Sequence, residues 1–220
     1  MFRPTRGTSA RVARLSSWPI IMCCGDSITY QNGGTAGNGA YKKALASAIY
    51  AGKGYLPIAG TDFVGQTYDA TSSYPMCGTP GIRSDQLNSS WLPTGVTYNP
   101  NACLLHIGTN DIAQAKTTNQ IMTGISGCLN TIRNALPTCR VFLAKIIDMQ
   151  LYPSNVTDVN NSLVTMVAAR NDASYITFVD QYAALGAWSG TYFNDDKHPN
   201  DAGYALMATA WYNALNTIYG

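Results

Sequence analysis

The sequence predicts an α/β fold, a three-layer sandwich in which helices cover both faces of a five-stranded parallel sheet. Short apolar runs alternate with longer segments of helical periodicity, the pattern of parallel strands joined by crossover helices. The chain has 220 residues, of which 46% are hydrophobic and 12% charged, enough apolar material for one core. Because no repeat or linker interrupts the pattern, residues 18–220 are expected to form a single domain.

Each predicted strand is a short apolar run bounded by glycine, proline or polar residues. The first run, residues 19–24, contains no charged residue and ends at a glycine, so both of its faces are expected to be buried. The run at 102–107 has the same character apart from one histidine. The five predicted strands span residues 19–24, 62–66, 102–107, 140–147 and 175–179.

The predicted helices carry apolar residues at spacings of three and four, so that one face of each helix is buried. The last helix has the clearest start, because Pro199 precedes Asn200 and asparagine is a good N-cap. The five predicted helices span residues 40–51, 84–91, 117–136, 155–170 and 201–219.

Residues 1–17 are rich in arginine and serine, lack acidic residues and contain no apolar run, so they are not a secretory signal peptide. They superficially fit an organelle transit peptide, but a disordered or extraneous segment is the preferred interpretation. The net charge of +2 gives no case for nucleic-acid binding. No stretch reaches the roughly 18 apolar residues of a membrane span. We expect a monomer that binds neither nucleic acid nor membranes.

Six cysteines and three glycosylation sequons, at Asn88, Asn155 and Asn160, favour a secreted protein whose signal peptide is not in this chain. No two cysteines form a CxxC pair, so we expect no zinc site, no other metal and no cofactor. A helix at 117–136 that packs back on the next strand brings Cys128 near Cys139. A Cys128–Cys139 disulfide is therefore predicted, with the other pairings left open.

Three polar clusters are placed where an α/β fold carries its chemistry. Residues 25–29 follow the first predicted strand, residues 108–111 follow the third, and residues 195–199 precede the last helix. Ligands of such folds bind at the carboxyl ends of the strands. All three clusters are therefore expected to meet at one edge of the sheet.

Within these clusters, Ser27 and His198 have the chemistry of a nucleophile and its base. A serine hydroxyl is a poor nucleophile unless a base takes its proton, and this chain has only two histidines. Asp195 lies three residues before His198, where its carboxylate can hydrogen-bond the ring and stabilise the imidazolium. Ser27 follows a strand end, so its own N–H can help to bind an oxyanion.

Four short motifs, which include these three residues, resemble in their order along the chain those of the SGNH/GDSL hydrolase family, and they extend over nearly the whole chain. The GDS motif is residues 25–27, and Gly81 in the segment PGIRSD fits the glycine of the second block. Asn110 in GTND fits the asparagine of the third block, and Asp195 and His198 form the DxxH motif. Each motif is weak alone, but four in the right order are strong together.

The resemblance implies the flavodoxin-like fold of SGNH hydrolases and the activity of a serine carboxylic-ester hydrolase. The implied catalytic triad is Ser27, His198 and Asp195. The implied oxyanion hole consists of the N–H groups of Ser27 and Gly81 and the side chain of Asn110.

A narrower resemblance is to the third family of carbohydrate esterases, the acetyl xylan esterases. It rests on residues 80–87 (PGIRSDQL), residues 106–111 (HIGTND) and the segment from 179 to 204. It implies an acetylated polysaccharide or oligosaccharide as substrate. Ile82 and Ser84 stand where an aromatic and an aliphatic residue are expected, so the wall of the pocket differs.

Four further residues are candidates for substrate binding: Asp26, Arg83, Trp188 and Tyr192. Asp26 also fits a local cap of its loop, and Arg83 fits a structural ion pair equally well. The two aromatic side chains precede the DxxH motif, where they either pack or stack on sugar rings. His106, inside an apolar strand, is expected to be a hydrogen-bonded core histidine.

Two other functions stay open beside the acetyl esterase. A short-chain or lipid esterase of the same fold would share the chemistry but hydrolyse longer acyl chains. A non-catalytic sugar-binding module would share the surface but need no base beside a serine. The glycines at 33–39 lack the spacing of a phosphate-binding motif, and a flexible loop at the mouth of the site is expected instead.

Overall fold

The computed structural model of the protein describes residues 18–54, 56–57, 59, 62–68 and 74–220. The predicted N-terminal segment 1–17 lies outside these residues. Within them, the central sheet contains seven strands. These strands are β1 (Ile21–Gly25), β2 (Phe63–Val64), β3 (Thr67–Tyr68), β4 (Pro75–Gly78), β5 (Ala102–His106), β6 (Arg140–Ala144) and β7 (Ile176–Val179).

The strands lie in the order β3-β4-β1-β5-β6-β7, and β2 pairs with β1 beside this path. Only β3 and β4 are antiparallel, and every other pair is parallel. The predicted α/β class with a parallel sheet is confirmed. The carboxyl ends of β1 and β5 lie side by side because Gly25 is paired with His106.

The second predicted strand differs most from the structure. The segment 62–66 contributes only the two residues of β2, which pair with Ile21 and Met22. The rest of that edge of β1 is covered by β4, which pairs with Cys24 and Gly25. A strand that starts at proline and ends at glycine has little local signal, and it forms here because β1 provides a partner.

Nine α-helices lie in the described part of the chain. They are α1 (Ser27–Tyr30), α2 (Tyr41–Lys53), α3 (Ser84–Gln86), α4 (Leu92–Gly95), α5 (Thr109–Ala113), α6 (Thr118–Ala135), α7 (Pro153–Ala168), α8 (Gln181–Leu185) and α9 (Asp201–Tyr219). The predicted helix at 84–91 is split, because α3 continues as a π-helical turn, Leu87–Trp91. Helix α9 has the predicted bounds, and the Asn200 side chain caps it by accepting from the N–H of Gly203.

The sheet has an apolar core on each face, and alternate residues of β1 serve the two cores. Met22 and Cys24 join the core that packs against α6 and α7. Ile21 and Cys23 join the core that packs against α2 and α9, which also contains the fully buried Trp211. Because both faces are covered, every residue of β1 is buried.

The predicted Cys128–Cys139 disulfide is wrong, and all six cysteines are free and buried. The Cys128 thiol points from α6 toward α3 and lies 3.4 Å from the carbonyl oxygen of Ser84. Cys139 lies instead beside the central strand β5, with its sulfur 3.5 Å from that of Cys103. The helix does pack back on the sheet, but these two side chains face different neighbours.

Burial also reduces the number of sequons that are accessible for glycosylation in the folded protein. The Asn160 side chain is 6% exposed and hydrogen-bonds both the N–H and the carbonyl of Ile146, so this sequon is closed in the folded protein. Asn155 is exposed near the start of α7. Across the described residues, no helix is long and apolar enough to cross a membrane.

Candidate active site

Ser27 lies at a sharp turn where β1 passes into α1. The Asp26 side chain caps this helix by accepting from the N–H of Ile28 at 3.0 Å. A side chain at Gly25 would place its Cβ 2.4 Å from the carbonyl oxygen of His106 and from the Thr29 hydroxyl, so only glycine fits this turn. Ser27 is therefore held at the carboxyl end of the central strand, 5% exposed.

His198 and Asp195 lie against Ser27 in one hydrogen-bonded row. The Ser27 Oγ lies 2.9 Å from His198 Nε2, and His198 Nδ1 lies 2.7 Å from Asp195 Oδ2. The other carboxylate oxygen accepts from the backbone N–H of His198 at 2.8 Å, which closes the three-residue turn. The structure thus brings together the three residues expected to form a triad, with the ring oriented by the carboxylate.

The electrostatics of the row favour an ionised Asp195. Burial opposes ionisation, but hydrogen bonds from the His198 ring and from the N–H groups of Lys197 and His198 outweigh it and lower the pKa of Asp195 to about 2. A carboxylate that stays charged at neutral pH stabilises a positive charge on the adjacent ring. The pair is therefore suited to accept a proton at Nε2.

Asn110 and Gly81, the expected oxyanion-hole residues, belong to two segments that are hydrogen-bonded to each other. Asn110 is in the first turn of α5, 8% exposed, and its amide donates to the carbonyl of Ile82 at 3.0 Å. The Gln114 amide donates to the carbonyl of Gly81 at 3.3 Å. Because β1 and β5 are neighbours, the segment carrying Asn110 follows a strand end beside the one that carries Ser27.

A buried contact reinforces this connection. The Asp111 carboxylate accepts from the N–H of Ser84 at 2.8 Å and from its hydroxyl at 2.6 Å.

The Gly81 backbone has a φ of +82°, which favours glycine, and the space where a Cβ would stand is open. Sequence reasoning missed Gln114 and the Ser84–Asp111 pair, although Ser84 is one of the two positions noted as departing from the carbohydrate-esterase pattern.

The four substrate-binding candidates have different surroundings. Asp26 is fully buried, and burial raises its pKa to about 7, although its hydrogen bond with Ile28 opposes this. The Arg83 guanidinium binds Asp85 through two nitrogens and Gln114 through the third, so each of its nitrogens has a protein partner.

The two aromatic candidates lie on the acid side of the row. Trp188 is half-buried, and its indole N–H donates to the carbonyl of Asp195 at 2.8 Å. Tyr192 is half-buried against the core, and its carbonyl accepts from the N–H of Asn200. The next residue, Phe193, is a core residue with 4% exposure. Of the two candidates, Trp188 is the one whose side chain hydrogen-bonds Asp195.

His106 is a core residue, as expected, but the expected hydrogen bond is missing. It is fully buried, and neither ring nitrogen has a hydrogen-bond partner within the described part of the chain. Burial lowers its pKa to about 4, so the ring is neutral at pH 7. Among the described residues, no group of three or more His, Cys, Asp or Glu side chains is arranged to hold a metal ion.

The fold and this hydrogen-bonded row define a hydrolase of a known class. The chain belongs to the GDSL-like lipase/acylhydrolase family, whose pattern matches residues 23–206. A multidomain esterase from Ruminococcus flavefaciens is 29% identical in an alignment that covers 87% of this chain. The same match covers only 28% of that larger protein.

Solved structures with the same fold include two carbohydrate esterases of family 3. The enzyme from Clostridium thermocellum has a TM-score of 0.74 and 25% identity, with 91% of this chain and 98% of that chain covered. The enzyme from Talaromyces cellulolyticus also has a TM-score of 0.74, with 20% identity and coverage of 90% and 97%. The protein is therefore an esterase-family hydrolase whose close structural neighbours are carbohydrate esterases.

Proposed function

We propose that this protein is an acetyl esterase that removes O-acetyl groups from acetylated polysaccharide such as xylan, through a Ser27–His198–Asp195 triad. The observation that carries the proposal is the hydrogen-bonded row, with 2.9 Å from Ser27 Oγ to His198 Nε2 and 2.7 Å from His198 Nδ1 to Asp195. A serine beside a base that is itself oriented by a carboxylate is the arrangement that acyl transfer requires.

In the first half of the proposed reaction, Ser27 Oγ attacks the carbonyl carbon of the acetyl ester while His198 Nε2 takes its proton. The negative charge that develops on the carbonyl oxygen is stabilised by the N–H groups of Ser27 and Gly81 and by the Asn110 amide. The amide donates one hydrogen to Ile82 and also hydrogen-bonds the Asp26 carboxyl, so in the proposed reaction the oxyanion takes over the second hydrogen from Asp26.

Collapse of the tetrahedral intermediate breaks the bond to the sugar oxygen, which receives the proton from His198. The acetyl group is left on Ser27 as an ester. Water then repeats the sequence, with His198 as base, and releases acetate and free Ser27. No step consumes a cofactor, because each proton that His198 accepts is returned in the same half-reaction.

Two features support a carbohydrate rather than a lipid substrate. The family 3 carbohydrate esterases share the fold over nearly their whole length. Trp188 lies half-exposed beside Asp195, where an indole face can stack on a sugar ring.

The guanidinium of Arg83 is already hydrogen-bonded to Asp85 and Gln114, which favours a structural role for that residue over contact with substrate.

The first test is Ser27→Ala, with Ser47→Ala on the exposed face of α2 as the matched control. Ser27→Ala should abolish release of acetate from acetylated xylan and labelling by a serine-directed phosphonate, while the circular dichroism spectrum and melting temperature stay close to wild type. Ser47→Ala should retain both activities. Turnover by Ser27→Ala at the wild-type rate would remove the central claim.

The second test compares nitrophenyl esters of increasing acyl length. We expect acetyl to be preferred, with each methylene that does not fit costing about 1–3 kcal/mol in kcat/KM. Equal or faster hydrolysis of octanoyl esters would instead support a lipid esterase. Binding of xylan oligosaccharides without hydrolysis of any ester would support a sugar-binding module.

The cellular setting is also a proposal. Exposure of Asn155 is compatible with glycosylation and so with secretion. We propose a secreted monomer, and light scattering of the purified protein tests the oligomeric state. A stable dimer would contradict it.

A further inference from the structure

The glycine-rich segment between α1 and α2, residues 31–39 and here called the glycine loop, is cross-braced by one side chain. The Gln31 amide nitrogen donates to the carbonyl of Thr35, and its oxygen accepts from the N–H of Gly39 at 2.6 Å. Gln31 itself has a φ of 117°, which non-glycine residues seldom adopt. The expected flexible loop therefore has a defined, internally bonded conformation.

One end of the glycine loop is fixed to the candidate nucleophile. The carbonyl oxygen of Ser27 accepts from the N–H of Gln31 at 3.0 Å and from the N–H of Asn32 at 2.9 Å. These two bonds end α1 and start the loop from the residue whose hydroxyl faces His198. A shift of the glycine loop would therefore also move the backbone of Ser27.

The other part of the loop is fixed to the turn that carries His198. A Cβ added to Gly33 would lie 2.7 Å from the Cβ of His198 and 2.7 Å from the carbonyl oxygen of Pro199, so the loop backbone packs directly behind the histidine. The buried Tyr204 hydroxyl donates to the carbonyl of Asn32 at 2.5 Å. Because Tyr204 belongs to α9, this contact ties the loop to the helix that follows His198.

Asp201, at the first turn of α9, provides the second tie. Its carboxylate accepts from the Thr35 N–H at 2.9 Å and from the Thr35 hydroxyl at 2.5 Å. Asp201 lies three residues after His198, and these hydrogen bonds lower its pKa, so the carboxylate is charged at neutral pH. The glycine loop is thus bonded to Ser27 at its start and, through Tyr204 and Asp201, to the helix that follows His198.

We infer that the glycine loop sets the position of His198 relative to Ser27, with Thr35 and Asp201 as positioning residues. This inference rests on the proposed function, in which His198 takes the proton from Ser27. The Asp195 contact fixes the orientation of the ring but belongs to the same turn as His198, so it does not fix that turn against Ser27. The loop connects the two, and misplacement of a catalytic group by about 1 Å costs roughly 100-fold in rate.

The test replaces Thr35 by valine, which keeps the shape but removes the hydroxyl donor to Asp201. We expect kcat on a small acetyl ester to fall about 10-fold to 100-fold with KM unchanged. Labelling by a serine-directed phosphonate should slow by a similar factor, yet still reach one label per chain. Thr35→Ser, which restores the hydroxyl, should recover most of the rate. Thr209→Val, at an exposed position of α9, is the matched control and should behave as wild type.

The outcomes separate the two proposals. Wild-type kcat and labelling rate in Thr35→Val would overturn the positioning role and leave the proposed function standing. A reduced final extent of labelling, in step with a lower melting temperature, would also overturn it, since that pattern means loss of folded protein. If the wild-type protein neither hydrolyses esters nor takes the label, the proposed function fails and this inference fails with it.

Discussion

Replacing Asn110 by alanine tests the oxyanion hole apart from the nucleophile. The Asn110 amide is 8% exposed, so water is poorly placed to replace the donor that the substitution removes. Loss of one such donor lowers kcat by about 10²–10³, or about 2.7–4 kcal/mol, because the interaction exists only in the transition state. KM should stay nearly constant, since the ground-state ester makes little use of the donor.

The same substitution removes the 3.0 Å bond to the carbonyl of Ile82, which should cost about 0.5–1.5 kcal/mol of folding stability. For a chain of this size, that corresponds to a melting temperature lower by a few degrees. Steady-state kinetics on a small acetyl ester, with Asn213→Ala on the exposed side of α9 as control, separates the two effects. A loss confined to KM, or none at all, would refute the assignment of Asn110 to the oxyanion hole.

Three other predictions rest on contacts in the structure. Asp195→Asn should lower kcat by roughly 10³–10⁴, since an amide cannot stabilise the His198 imidazolium, and activity within tenfold of wild type would contradict this. The pKa of Asp195 falls from 3.8 to about 2 on folding, so the stability that its ionised form gives the folded protein is present above about pH 4 and is lost as the pH falls toward 2. Asp195→Asn should therefore make the free energy of unfolding depend less on pH over that interval. Native protein should resist thiol reagents until unfolded, when all six cysteines react; rapid native labelling would show that the cysteines are less buried than described.

Local sequence was informative where an element can be recognised without its neighbours. The bounds of α9 follow from Pro199, the Asn200 cap and a continuous apolar stripe, and the structure has the same bounds. Strand β1 was recognisable because both of its faces are apolar. The grouping of Ser27, Asn110 and His198 followed from their places at strand ends or at a helix start, combined with the rule for parallel sheets.

The sequence was uninformative where the deciding contact is distant along the chain. Strand β4 depends on pairing with Cys24 and Gly25, some 50 residues earlier, and its own composition suggests a loop. The direction of the Cys128 thiol depends on how α6 is rotated against α3, which spacing alone does not fix. Sequence position likewise cannot tell that the guanidinium of Arg83 is already occupied by Asp85 and Gln114.

The candidate site draws its parts from both faces of the sheet, and this explains how the parts are held. Ser27 follows β1, a strand whose residues contribute to both cores. His198 is held from the side of α9, through Tyr204 and the glycine loop. Asn110 is held from the other side, where Asp111 binds Ser84 at the start of α3 and α3 packs on α6. The sheet is the common support for Ser27 and Asn110, because β1 and β5 are paired, whereas the glycine loop connects the turn of His198 to Ser27.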